Sequence, residues 1–257
     1  MNRNKIIGIV GGVGPYTGTD LAEKIFNETI AGHDQEHLPV ALLSIPQNIT
    51  DRTEYLLGKT EENPAYAVSQ IILQLEKLGA EIIGIPCNTM HVPEIYDTIL
   101  DEVKKSGRKI FIVNMIEEVV HFIESYYPTI KTVGVLSTTG TYQSGIYIDK
   151  LNRKGYKAIT TDSVLQEEIH QSIYHPEYGI KAVSNPVTRE AKNILVKGIR
   201  YLKKEGAEAI ILGCTEIAFA LPYKILNNLP LVDATYVLAR ALIHYTYPGK
   251  LRPYTIK

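Results

Sequence analysis

The chain has 257 residues, 45% of them hydrophobic and 21% charged, with a formal net charge of −1. That is the balance of an ordinary globular protein with a sizeable core. It gives no basic surface for nucleic acid and no apolar run near the ~20 residues of a membrane helix.

Met1-Asn2-Arg3-Asn4-Lys5 leads straight into a strand pattern, without the apolar stretch of a signal peptide. A cytoplasmic chain with reduced thiols is therefore expected. Lys5 to Val10 is β-branched and bounded by glycines, which predicts a strand. Gly11-Gly12-Val13-Gly14-Pro15 then forms a tight loop before a helix that runs to about Ile30. The dinucleotide fingerprint G-x-G-x-x-G is not met, because Thr17 stands where the last glycine belongs. The loop reads as a cradle for a small anion such as a carboxylate, or as a turn with no ligand.

Val40 to Ile45 is a second strand, closed by Pro46 and followed by the polar loop Gln47–Thr53. Arg52 in that loop is either a solvated surface charge or a carboxylate reader at the carboxyl end of a strand, where open α/β sheets bind ligands. Pro64 to Lys77 has helical spacing. The apolar run Ala80–Ile85 is a buried strand, and Pro86-Cys87-Asn88-Thr89-Met90-His91 turns the chain into a helix from Val92, regular over Tyr96–Lys105. A strand over Lys109–Val113 and a helix over Met115–Tyr126 carry the chain into a second half.

The second half repeats the first. Lys131–Leu136 echoes Lys5–Val10, with Thr138-Thr139-Gly140-Thr141 in place of the glycine loop. Glu205 to Glu216 repeats Leu78 to Thr89 position for position, and the chain's two cysteines, Cys87 and Cys214, lie 127 apart (214 − 87). The expected architecture is α/β: two pseudosymmetric doubly wound domains with largely parallel sheets and the active site in the cleft between them. Residues 1–113 plus 228–257 are expected to form the first domain and 114–227 the second. Leu231-Val232-Asp233 and the helix Thr235–Tyr245 are expected to return to the first.

Each cysteine follows a strand near a helix N-terminus, a setting expected to lower a thiol's pKa. Two such thiols across one cleft suit proton abstraction from a stereocentre on one face and delivery on the other, with the pair titrating as a unit. Asn88, Thr89 and Thr215 follow the cysteines as ligand donors or as helix caps. His91 either orients a thiol or is a hydrogen-bonded structural histidine. His170 and His175 lie in a Tyr- and Pro-containing stretch that reads as a lid. No spacing suggests a metal site.

These segments, together with His33–His37, Asp51-Arg52-Thr53 and Ser137–Thr141, resemble the aspartate/glutamate racemase family in its aspartate racemase branch, across essentially the whole chain. The glutamate racemases proper usually carry His where this chain has Glu216. The resemblance implies a cofactor-independent, pyridoxal-phosphate-free isomerase that interconverts L- and D-aspartate by thiolate/thiol proton transfer, usually as a homodimer. It implies Cys87 and Cys214 as catalytic residues. Asn88, Thr89 and Thr215, with Met90 beside them, would hold the amino-acid end. Arg52 would read the side-chain carboxylate and Lys181 would assist. Val13 stands in for a common methionine. Alternatives are a broader aspartate/glutamate racemase, a maleate-isomerase-like enzyme or decarboxylase on small dicarboxylates, and a carboxylate-binding or redox-sensing protein without turnover.

Overall fold

The computed structural model describes residues 5–255; the lead-in Met1–Asn4 lies outside the described residues. The first sheet contains β1 (Ile6–Gly11), β2 (Val40–Ser44), β3 (Ala80–Gly84) and β4 (Phe111–Ile112), ordered β2-β1-β3-β4 and parallel throughout. Its connections are α1 (Pro15–Glu28), α2 (Arg52–Leu56), α3 (Ala65–Lys77) and α4 (Pro93–Lys105). The near-continuous apolar runs of β1 and β3 fit a sheet covered on both faces. Val68, Ile71, Ile72 and Leu75 of α3 join Ile95 and Ile99 of α4 in one buried cluster with Val10 and Ile83.

After α5 (Met115–Tyr126) the pattern begins again. The second sheet comprises β5 (Thr132–Leu136), β6 (Lys157–Ile159), β7 (Ala209–Leu212), β8 (Ile225–Leu226) and β9 (Leu229–Asp233), in the order β6-β5-β7-β9-β8. All its pairs are parallel except β8 with β9. The sequence repeat is visible in the register: Gly8 faces Ile83 across β1 and β3, and Gly134 faces Ile210 across β5 and β7. The helices of this half are α6 (Thr139–Ser144), α7 (Ile146–Arg153), α8 (Ser163–Tyr174), α9 (Arg189–Lys204) and α10 (Ile217–Ala220). Ile169 and Ile173 of α8 and Leu195, Ile199 and Leu202 of α9 cluster with Leu136, Ile210 and Leu212.

The chain divides into two compact α/β units, one running to Glu118 and resuming at Thr235, the other Val119–Ala234. The strand expected to return to the first unit does not do so. Leu231 pairs with Ile210 of β7, and both Leu229 and Leu231 sit in the second unit's core. The reason is the β8–β9 hairpin, whose turn residues Asn227 and Asn228 have φ of 52° and 58°. Asparagine tolerates such values, and two of them in a row close a two-residue hairpin. The crossing comes at α11 (Ala234–Thr246), whose Leu242 packs over Gly84 of β3 beside Leu21 of α1.

Candidate active site

Three loops meet at the carboxyl ends of the first sheet's strands. In the loop after β1, Gly12 has φ +82°, and a Cβ there would stand 2.8 Å from the backbone nitrogen of Pro46 in the loop after β2. Only glycine lets the two loops close so tightly. Asp51 then caps α2, accepting the backbone N–H groups of Thr53 and Glu54 at 2.8 and 3.1 Å. That cap sets Arg52 at the first helical position, where it is buried and donates from Nη2 to the carbonyl oxygen of Val13 at 2.9 Å. Val13 and Arg52, separated by 39 positions, are thus brought together.

Cys87 follows β3 in extended backbone (φ −155°) and leads a short 3-10 turn, Asn88–His91, whose four residues are all buried. Met90 is fully buried in the first unit's core, so its side chain serves packing. His91 Nδ1 lies 2.9 Å from the carbonyl oxygen of Cys87. Burial holds its pKa down to about 4, against the opposing pull of the Cys87 and Val113 backbones and of Glu117. The imidazole is therefore neutral, and as an N–H donor it pins the cysteine's own carbonyl.

At the end of β7, Cys214 is buried and its Sγ lies 3.0 Å from Glu216 Oε2, which also accepts the Thr215 hydroxyl at 3.1 Å. Glu216 Oε1 pairs with Lys181 Nζ at 3.1 Å. Desolvation first, and then the Glu216 charge, push the Cys214 thiol well above its ordinary pKa, with Lys181 pulling the other way. Cys214 is a protonated thiol donating to a carboxylate. The expected lowering is corrected here: burial first and then the Glu216 carboxylate raise the thiol, and α10, which follows, is only four residues long.

Two further expectations change. The caps at these turns are Cys87, Val92 and Glu216, none with a side-chain cap hydrogen bond, so Asn88, Thr89 and Thr215 are not caps. The expected lid is an ordered helix and turn: His170 lies within α8, and Ile180 and Lys181 donate their N–H groups to Ser172 and Ile173 at 3.0 Å. Glu216, named in the sequence only as a departure from the glutamate racemases, proves to be the residue that contacts both Cys214 and Lys181. Its signal was a break in the repeat, since it stands where the first copy has Thr89. Both cysteines are free thiols, and no group of three or more His, Cys, Asp or Glu among the described residues could hold a metal ion.

The two-unit α/β fold with a cysteine after each central strand defines a class. The model of the Asp/Glu/Hydantoin racemase family matches residues 10–242, so the chain belongs to that family and is an isomerase of the racemase type. Among solved structures it is similar to the aspartate racemase of Picrophilus torridus, with a TM-score of 0.79, 29% identity, and 97% of this chain and 96% of that one covered. The glutamate racemase of Francisella tularensis subsp. tularensis SCHU S4 shares the fold, at TM-score 0.63 and 17% identity over 98% and 85% of the two chains. Among curated sequences, the broad specificity amino-acid racemase RacX of Bacillus subtilis (strain 168) is 25% identical over 244 residues, 93% of this chain and 96% of its own.

Proposed function

We propose that the protein racemises aspartate at Cα by a two-base exchange between Cys87 and Cys214, without pyridoxal phosphate or metal. The observation that carries this reading is the paired setting of two buried, free cysteines, each directly after the strand that flanks β1 or β5 in like-ordered sheets. The mechanism requires the two thiols to approach opposite faces of one Cα. Cys214, held as a thiol by Glu216, is the acid of the first half-turnover; Cys87 is the base, and the roles exchange in the return direction. The carbanion needs donors at its carboxylate, and Asn88, Thr89 and Thr215 supply them beside the cysteines. Arg52 reads the side-chain carboxylate through its planar fork, and Val13 contributes the carbonyl that holds that fork. Lys181 adds a second cation. Met90 contributes by seating the turn.

Aspartate as substrate is supported by the similarity to the Picrophilus enzyme. A wider range is the second reading, favoured by the likeness to the broad-specificity enzyme of Bacillus subtilis. One methylene in a pocket is worth only ~1–3 kcal/mol, so a single site can serve aspartate and glutamate together. A panel of L- and D-amino acids followed by chiral chromatography decides. Racemisation confined to acidic substrates supports the first reading, comparable rates on neutral ones the second, and no turnover on any sinks both. A homodimer and a cytoplasmic location belong to the same proposal, tested by light scattering and cell fractionation. No helix among the described residues is long and apolar enough to cross a membrane.

A further inference from the structure

A row of side chains leads from the loop after β5 to Glu216. His170 Nδ1 accepts the backbone N–H of Thr139 at 3.4 Å, which orients its ring. That ring stacks on Tyr174, with centroids 4.6 Å apart and planes 21° from parallel. Lys181 Nζ stands 5.0 Å from the centroid of the same Tyr174 ring and 3.1 Å from Glu216 Oε1. Two groups thus meet the ammonium, the Tyr174 ring and the Glu216 carboxylate, and His170 backs the ring from one turn away on the same helix. The backbone leading to Lys181 is fixed as well: Gly179, Ile180 and Lys181 donate to His175, Ser172 and Ile173 at the end of α8, at 2.8, 3.0 and 3.0 Å. The chain can double back this closely only because residue 179 is glycine, since a Cβ there would lie 2.5 Å from the nitrogen and oxygen of His175.

A lysine on a flexible four-carbon stem does not hold one position unaided. An aromatic face attracts the ammonium and limits where it goes, and a stacked neighbour limits the aromatic ring in turn. We infer that Tyr174, held by His170, is a positioning residue that keeps Lys181 where it can be shared between Glu216 and a carboxylate of the substrate. The identity of that carboxylate rests on the racemase reading; the placement of Lys181 does not. The ammonium has three donors, so pairing with Glu216 is compatible with a ligand contact. A Lys181 released from the ring would leave the Glu216 charge acting on Cys214 with less opposition, because Lys181 pulls the thiol's pKa down.

The test compares Tyr174→Leu with Tyr174→Phe, with circular dichroism confirming the fold. The first readout is iodoacetamide alkylation of Cys214 across alkaline pH, followed by peptide mass spectrometry on the protein without substrate. Tyr174→Leu should slow alkylation several-fold at a given pH and move its profile to higher pH, whereas Tyr174→Phe should track the wild type. The second readout is kinetic: Tyr174→Leu should raise KM for the acidic substrate by more than it lowers kcat. If Tyr174→Leu does not fold, the partly exposed His170→Ala takes its place, with the same direction and a smaller size. Wild-type alkylation and KM in the leucine variant would overturn the inference, as would equal losses in the phenylalanine variant. If the wild type racemises nothing, the racemase reading fails while the alkylation comparison still decides where Lys181 is held.

Discussion

Glu216 holds Cys214 by one oxygen, Sγ to Oε2 at 3.0 Å, while its other oxygen pairs with Lys181 at 3.1 Å. A thiol and an ammonium thus share one buried carboxylate. Buried ion pairs of this kind are weak evidence of stability, because desolvation offsets much of the attraction. Their effect here falls on the protonation state of Cys214.

Glu216→Gln removes the charge that raises the Cys214 thiol and releases the Lys181 cation, which lowers it. The thiolate should then form at lower pH, and iodoacetamide should modify Cys214 faster than in the wild type at the same mildly alkaline pH. Mass spectrometry of the Cys214 peptide reads this directly. An unchanged rate would show that burial alone sets the thiol, and a slower one that Glu216 favours the thiolate.

Arg52→Lys keeps the charge and loses the fork that reaches the Val13 carbonyl. Hydrogen bonds from charged groups contribute ~1.5–3 kcal/mol, so a lower urea midpoint with an unchanged m value is expected. The KM should rise for acidic substrates and change little for neutral ones. Equal losses on all substrates would make Arg52 purely structural.

His91 gives a stability signature in acid. Its folded pKa, about 4, lies below the ordinary value near 6.5, so the unfolded chain takes up the proton first. Its contribution is fully present above pH 6.5 and is lost as pH falls towards 4, by about 3 kcal/mol at most. Denaturant midpoints between these limits should fall in the wild type and vary less in His91→Asn. A parallel decline in both would assign the acid sensitivity elsewhere.

Gly179→Ala places a methyl 2.5 Å from the backbone of His175, which cannot move away cheaply. Overpacking of this kind costs ~1–3 kcal/mol, and the register that delivers Lys181 should shift with it. Thermal melts against Gly249→Ala, where an added Cβ meets nothing within 4 Å, supply the control. Equal melting temperatures for the two variants would show that the turn relaxes.

Much of this arrangement was legible in the sequence. The offset of 127 between Cys87 and Cys214 announced two like units, and the apolar strand runs announced covered parallel sheets. The place of Arg52 after a strand set a buried, held arginine against a solvated one, and the buried position is what the structure shows. Position along the chain did not show which side chains meet across it. Lys181 reaches Glu216 because a helix end and a tight glycine turn fold it back, and neither carries a periodic signal. The turn at Asn227-Asn228 kept β9 in the second sheet, although the strand pattern at Leu231 looked the same in either unit. The raised Cys214 thiol follows from its burial first and then from a carboxylate two residues on, effects of packing and side-chain direction that spacing does not encode.

Two-base racemisation is tested most directly by starting from each pure enantiomer of aspartate in deuterium oxide. Cα deuteration is followed by proton NMR and configuration by chiral chromatography. The expected result is that the opposite enantiomer appears already deuterated while the remaining starting enantiomer keeps its proton at early times, in both directions. Abstraction and delivery then come from different groups, and Cys87→Ala and Cys214→Ala each abolish the conversion. Deuterium entering the starting enantiomer as fast as the product forms, or full racemisation by either alanine variant, would contradict the two-cysteine mechanism.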